Sequence, residues 1–466
     1  MDEETTSSGA TPDASPAGTT DQEDPLELAV ERRLASDGRH DDGGSFTIFR
    51  VPACVRDADR TLYEPRLVSV GPYYRGRAEL RAMERHKWRY LRHLLQRAAA
   101  TAQPPLRALV RAVRAAEPRA RACYSEPAAD ADDDAEDAGR FAEKLLLDGC
   151  FVLEFFFKWN RREPDALCDA GWALALLHSD LLLVENQIPF FVLEALFDAF
   201  FRGEVPRADL LKLLLRHLKP NGALLPGHQP PSPYKAPTGP IDHLIHLFHE
   251  AFVPRPPPAP PSSQASPPPP PRVIPCVSAL REAGVRFVRK PPAASPRGMF
   301  DITFDARRGV MEMPPVAIDQ ASLPLLVNLV AFEQSRGHRK GSGGAPLTSY
   351  AALMASLVRT GKDVEELQRR GIADNMLSSD DGAALQFFQS LGACSTIDYD
   401  DHLFAPLFAD VQRYHDRSWH RHRARFIRDH CSNPWSVIAL VLAVLAFFSL
   451  FNNSVTVYKL VHPQPK

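Results

Sequence analysis

Apolar positions crowd the chain from about residue 46 onward, thin out at a proline-rich stretch, return, and become nearly continuous at the end. Leu80, Met83, Lys87, Tyr90, Leu91, Leu94 and Leu95 recur close to helical spacing and predict a helix over 78–99. A second helix is expected over 106–116, between Pro104-Pro105 and Pro118. Residues 141–159 and 172–201 are apolar on most sides, which predicts core helices. Asp148 with Glu154, and Glu185-Asn186-Gln187, place charge or polarity mid-run, so neither stretch makes a good membrane span. Pro189 should start a new helix or kink the old one. Further helices are expected over 208–218 and 241–252.

Residues 46–52 alternate apolar and polar until Pro52, predicting a short extended segment, and 63–74 read as turns and extended chain punctuated by Gly71-Pro72. Beyond the proline-rich stretch, 284–288, 299–304 and 310–313 make a small antiparallel sheet. Helices are expected over 278–283, 323–334, 348–359 with Thr348 or Ser349 as cap, 362–371 with Asp363 as cap, 380–391 and 400–428.

Residues 437–451 are almost purely apolar, and no charge falls between Asp429 and Lys459. A helix needs roughly 20 residues to cross about 30 Å of hydrocarbon. Running on to Tyr458 supplies that length, with Trp435 and Tyr458 at the two interfaces. A buried core helix is the alternative. Arg413, Arg417, Arg421, Arg423, Arg425 and Arg428 precede the run, and only Lys459 and Lys466 follow it. Positive charge stays cytoplasmic, so the expectation is a tail-anchored, single-pass protein with a cytosolic body, at the plasma membrane rather than the endoplasmic reticulum. No hydrophobic signal segment opens the sequence.

Composition refines this into segments. Residues 1–44 are acidic and poor in aromatics, a disordered tail. Residues 45–253 are the first half of a helical body, 254–275 a proline-rich disordered insertion, 276–430 the second half with its β element, 435–458 the span and 459–466 a short tail. Residues 126–138 are acidic and read as a solvated loop. The fold class is thus mainly α: a large helical body, a small antiparallel β element and one C-terminal transmembrane helix. A net charge of −2 gives no footprint for nucleic acid, and the arginine-rich flank is better explained by anionic lipid. Seven scattered cysteines without a CxxC pair argue for reduced thiols. Cys431, just before the span, is a candidate for S-palmitoylation beside the plainer reading of a juxtamembrane thiol.

Candidate chemistry is sparse. His243, His246 and His249 recur every three residues beside Asp242 and Glu250. Two imidazoles from successive turns could face one metal, but no further ligand is identified, and a polar helix edge is the better reading. His415, His420, His422 and His430 belong to the basic flank. Glu185-Asn186-Gln187 interrupts an apolar core helix before a proline, and buried polar groups need partners. A structural role, binding backbone groups freed by Pro189, comes ahead of a ligand pocket. Asp148 and Glu333 are single acids in apolar runs that would serve acid–base chemistry only if they met. Gly341-Ser-Gly-Gly344 lacks the Lys-Ser/Thr of a phosphate loop. No catalytic, cofactor or metal position is assigned.

The ordered segments resemble a plant family known only as "domain of unknown function 247". The resemblance rests on Phe49-Arg-Val-Pro52, Tyr63-Glu-Pro65, Ser69-Val-Gly-Pro-Tyr73, Met83-Glu84 with Lys87, Leu147 to Glu154, and Asp180 to Phe190. It continues through Leu280 to Phe287, Asp301-Ile-Thr-Phe304, Asn328 to Gln334, Ser349-Tyr350, Lys362 to Leu367 and Asn433-Pro-Trp435. It implies a mainly helical body with a C-terminal membrane segment, and brings no reaction and no active-site residues. Some members are associated with pollen–stigma self-incompatibility in grasses, which implies recognition or signalling. The functional expectation is a non-enzymatic interaction or signalling protein with an unknown protein partner and a capacity to oligomerise. The alternative is a membrane-tethered enzyme or small-molecule sensor around Glu185, Asn186 and Gln187.

Overall fold

The computed structural model describes residues 46–97, 105–126, 134–218, 239–253, 271–336, 345–377, 381–393, 397–399 and 402–416, with isolated positions at 24, 26, 28, 30, 31, 237, 442 and 445–450. Residues 1–45 and 46–466 form two units. In the first, the described residues Leu26, Leu28, Val30 and Glu31 are helical, and the Leu28 N–H donates to Asp24 O; the rest of the expected tail lies outside the described residues.

The larger unit is mainly helical. Its first half holds α1 (Arg81–Arg97), α2 (Pro105–Arg121), α3 (Asp134–Arg161), α4 (Gly171–Asp180), α5 (Phe190–Phe201), α6 (Arg207–His217) and α7 (Leu244–Phe252). Helix α3 runs through the middle, touching α1, α2, α5 and α6. That place explains its all-round apolar sequence: Phe151, Val152, Leu153, Phe155 and Phe156 are all completely buried. The 78–99 periodicity is realised in α1, which buries Met83, Lys87, Tyr90, Leu91 and Leu94.

The second half holds α8 (Val277–Glu282), α9 (Ser322–Ser335), α10 (Pro346–Leu357), α11 (Gly361–Arg369), α12 (Asp381–Ala393) and α13 (Ala405–Asp416). Helix α9 is buried over most of its circumference and touches α7, α10 and α12. Strands β1 (Arg286–Arg289), β2 (Thr303–Asp305) and β3 (Val310–Met313) form one sheet in the order β1-β3-β2. Strands β4 (Val316–Ile318) and β5 (Ala373–Asn375) form another.

The expected transmembrane helix is overturned: among the described residues, no helix is long and apolar enough to cross a membrane. Within 435–458, the positions described are 442 and 445–450, all helical. The rest of 435–458 lies outside the described residues, as do Cys431, the basic flank beyond Asp416, and 254–270 of the proline-rich stretch. The antiparallel sheet is corrected to a mixed one, since β2 pairs antiparallel with β3 but β1 pairs parallel, as do β4 and β5. Helix α2 does not stop at Pro118 but runs to Arg121, with Pro118 on its exposed side. Helix α3 begins at Asp134, inside the expected acidic loop. Neither Thr348 nor Ser349 caps α10, which starts at Pro346; Asp363 is the third residue of a capping box whose cap is Thr360.

Candidate functional site

The polar residues singled out in the apolar run lie where the helix breaks. Helix α4 ends at Asp180 and α5 starts at Phe190 after Pro189, leaving 181–189 without regular structure. A buried segment of that kind leaves its own amides and carbonyls, and those of its neighbours, in need of partners. Asn186, 1% exposed, meets that need with its whole amide. Its Oδ1 accepts from the Val70 N–H at 2.7 Å, and its Nδ2 donates to Val68 O at 3.0 Å and Asp180 O at 2.8 Å. Gln187 Nε2 donates to Leu181 O at 2.9 Å and Leu183 O at 2.7 Å, while its Oε1 accepts from the Leu244 N–H at 3.0 Å. Both donors of each amide are therefore used.

The flanking acids do the same for the segment leading into α1. Asp180 accepts from the N–H groups of Arg66, Leu67 and Val68 at 3.0, 2.7 and 2.8 Å. Glu185 accepts from the Val51 N–H at 2.7 Å, from Arg56 at 3.3 Å and from the Tyr74 hydroxyl. Asp148 Oδ2 accepts from the Gly71 N–H at 2.9 Å, and its Oδ1 lies 2.6 Å from Lys87 Nζ. Lys87 is completely buried and also donates to Ser69 O and Glu84, each at 2.6 Å. Burial pushes Asp180 up to about 6, against the pull of its three N–H donors. Burial likewise raises Asp148, with Lys87 opposing, and raises the Tyr74 hydroxyl, with Glu185 adding to the effect.

The expected polar helix edge is corrected for the first two of the three histidines. His243 and His246 are buried, and the rings of His243, His246 and His249 each lie 5.3 Å from the Phe332 ring. His243 caps α7, its Nδ1 accepting from the His246 N–H at 3.3 Å and its Nε2 donating to Thr47 O at 3.0 Å. His246 Nδ1 lies 3.0 Å from Asp242 Oδ2, and its Nε2 lies 3.8 Å from Glu250 Oε1. Burial works against protonation of His246, but the two carboxylates raise its pKa. His249 Nε2 meets Glu333 Oε1 at 2.9 Å. Among the described residues no group of three or more His, Cys, Asp or Glu is placed to hold a metal ion.

Among the described residues, Glu333 and Asp148 share no partner. Glu333 caps α10, accepting from the N–H groups of Leu347 at 3.1 Å and Thr348 at 2.8 Å, where a carboxylate also suits the helix dipole. His415 is described beside Asp416, while His420, His422 and His430 lie outside the described residues. Cys54, Cys123, Cys150 and Cys276 are free thiols. Sequence reasoning missed Asn328. It lies completely buried in α9, where its Oδ1 accepts from the Val184 N–H at 2.9 Å and its Nδ2 donates to Leu62 O and Pro324 O at 2.7 Å. The signal was available: Asn328 is the one amide in the apolar run 323–332.

The arrangement is a hub of side chains that terminates backbone from four places at once: 51–71, 180–187, the start of α7, and α9. A model of a family described as plant protein of unknown function, DUF247, matches residues 48–449. The UPF0481 protein At3g47200 of Arabidopsis thaliana is 26% identical over 421 residues, covering 85% of this chain and 82% of the relative. The putative UPF0481 protein At3g02645, also of Arabidopsis thaliana, is 24% identical over 487 residues, covering 86% of this chain and 88% of the relative. No solved structure matches.

Proposed function

The chain belongs to this plant family of unknown function, and we propose that it serves as a non-enzymatic interaction or signalling protein whose helical body binds a protein partner. The observation that carries the reading is the saturation of the 180–187 cluster. Each donor of Asn186 and Gln187 is spent on a backbone carbonyl, and Asp180 and Glu185 are spent on backbone N–H groups. A catalytic or ligand-binding amide must keep valences for its substrate; these hold the scaffold. A rigid scaffold limits the ordering cost of association.

The test separates stability from binding. Asn186→Ala strands the Val70 N–H and the Val68 carbonyl, while the Asp180 carbonyl keeps only the Leu183 N–H at 3.4 Å. It should lower the unfolding free energy by about 3 kcal/mol, with each stranded group costing roughly 1–3 kcal/mol before relaxation. Partner recovery from plant tissue should match wild type at temperatures where the variant stays folded. The reading falls if Asn186→Ala keeps full stability in urea unfolding yet loses a turnover, or loses a small molecule seen bound to the wild type by native mass spectrometry.

A further inference from the structure

We infer that the outward face of α1 docks an acidic helical segment of a protein partner. This rests on the reading above, that the body binds protein, and assigns the surface and the partner's chemistry. Arg81, Arg85, Trp88 and Arg92 are all exposed, with Trp88 51% accessible. Their spacing is four, three, four. At about 100° per residue the four side chains fall within roughly 60° of one another, in a stripe about 16 Å long. That rhythm, averaging about 3.7 residues, is close to the period of a straight helix, so a second helix laid alongside can meet all four positions.

Among the described residues, none of the three arginines has an ion-pair or hydrogen-bond partner. Several other arginines of the body are matched: Arg77 with Glu64, Arg97 with Glu154 and Glu163, Arg207 with Glu194, and Arg281, Arg369 and Arg370 with Glu366. The acids nearest the stripe are committed inward, Glu84 to Lys87 and Asp165 to Lys158 and Arg89. The stripe is thus a local excess of cations on a chain whose net charge is −2.

The side-chain types select the partner. Guanidinium forks pair bidentately with carboxylates, and Arg and Trp are the residues that dominate protein interfaces. A lipid surface would call for further large apolar anchors beside Trp88, since interfacial helices bury a whole apolar face. The apolar face of α1 is instead spent on the core. A nucleic acid would call for a basic domain, which a charge of −2 does not supply. An acidic helix with carboxylates at matching four-three-four spacing, and a small-residue gap for the indole, satisfies the whole face.

The experiment uses the full chain and a labelled alanine-based helical peptide of roughly 20 residues, carrying glutamates at that spacing. Anisotropy should show binding that weakens steeply as salt rises to about 300 mM. Arg85→Glu with Arg92→Glu should weaken it at least tenfold, and Trp88→Ala about tenfold. Arg85→Lys with Arg92→Lys should weaken it by about threefold, because charge is kept and the fork lost. All of these positions are exposed, and circular dichroism should confirm unchanged folding. Equal binding of wild type and the double Glu variant overturns the inference. So does equal binding of a peptide with its glutamates spread around the helix, or stripe-dependent binding of phosphatidylserine vesicles or duplex RNA without binding of the peptide. A native partner recovered equally with wild type and the double Glu variant would remove this surface while leaving the protein-binding reading in place.

Discussion

His243 does two jobs that only a neutral ring can do: Nδ1 accepts the His246 N–H, and Nε2–H donates to Thr47 O. A proton on Nδ1 would break the cap of α7. Burial, and then the neighbouring His246, hold the His243 pKa down to about 3, from an ordinary value of 6.5; Asp242 pulls the other way and Arg336 adds to the depression. The Thr47 carbonyl also pulls upward, and the Phe332 ring, 5.3 Å away, carries no charge. Because the folded value lies below the unfolded one, unfolded chains take up a proton that folded chains refuse. The stability contributed by neutral His243 is therefore present above about pH 6.5 and lost as pH falls from there towards 3. Asp180, raised to about 6, acts with the opposite sign, losing stability as pH rises from near 4. Comparison with a His243 variant isolates the histidine. His243→Asn should be less stable than wild type at pH 7, having lost the bond to Thr47. Its stability should then fall with acid more gently, by up to about 1.4 kcal/mol per pH unit less than wild type. Urea unfolding of both proteins at pH 7, 6 and 5 reads this directly, and parallel curves would remove His243 as the source.

At the scale of elements, the turn at Gly71 decides how the entry segment meets the hub. Gly71 has a φ of 81°, and a Cβ there would run into Gln187 O, a backbone atom that cannot yield cheaply. Gly71→Ala should cost at least about 2 kcal/mol, from the left-handed backbone and the clash together; a smaller loss in thermal unfolding would mean that 181–189 yields. The elements that were legible in the sequence are those whose burial is carried by their own residues. Helices α3, α5 and α9 are wrapped by neighbours over most of their surface, and α6 buries one face of leucines, so their apolar runs announce them. Lys87 even sits in the helical apolar pattern, because it fills a core position against Asp148. What stayed hidden depends on partners far along the chain. The break after Asp180 is invisible because Leu181 to Val184 are as apolar as a helix core, and what holds them open is Gln187 Nε2 on two of their carbonyls. Asn186 and Gln187 do bind freed backbone groups, but those of Val68, Val70, Leu181, Leu183 and Leu244 and not those around Pro189. The histidine spacing suggested a polar edge because nothing local reveals Phe332 against it. The parallel pairing of β1 with β3 was likewise unreadable, since periodicity gives strands and not their direction.

At the scale of the larger unit, the two halves on either side of the proline-rich stretch are held by contacts that do not depend on the chain between them. Asn328 of the second half binds Leu62 O and the Val184 N–H of the first. Glu333 caps α10 within the second half while taking His249 from the first. Phe332 sits against three imidazoles of the first half. These contacts put hydrogen bonds as well as apolar surface across the junction, each bond contributing about 0.5–1.5 kcal/mol. The covalent link therefore contributes chiefly an effective concentration, which co-expression can replace. Residues 46–253 and 271–416 produced as separate chains should co-purify as a one-to-one complex with the helical content of the intact body. Asn328→Ala should weaken the complex more than an exposed substitution such as Trp172→Ala, because it strands Leu62 O and the Val184 N–H at the junction. Halves that fold and elute separately would show that the unit is two domains joined by a tether, and the hub would then serve the first half alone.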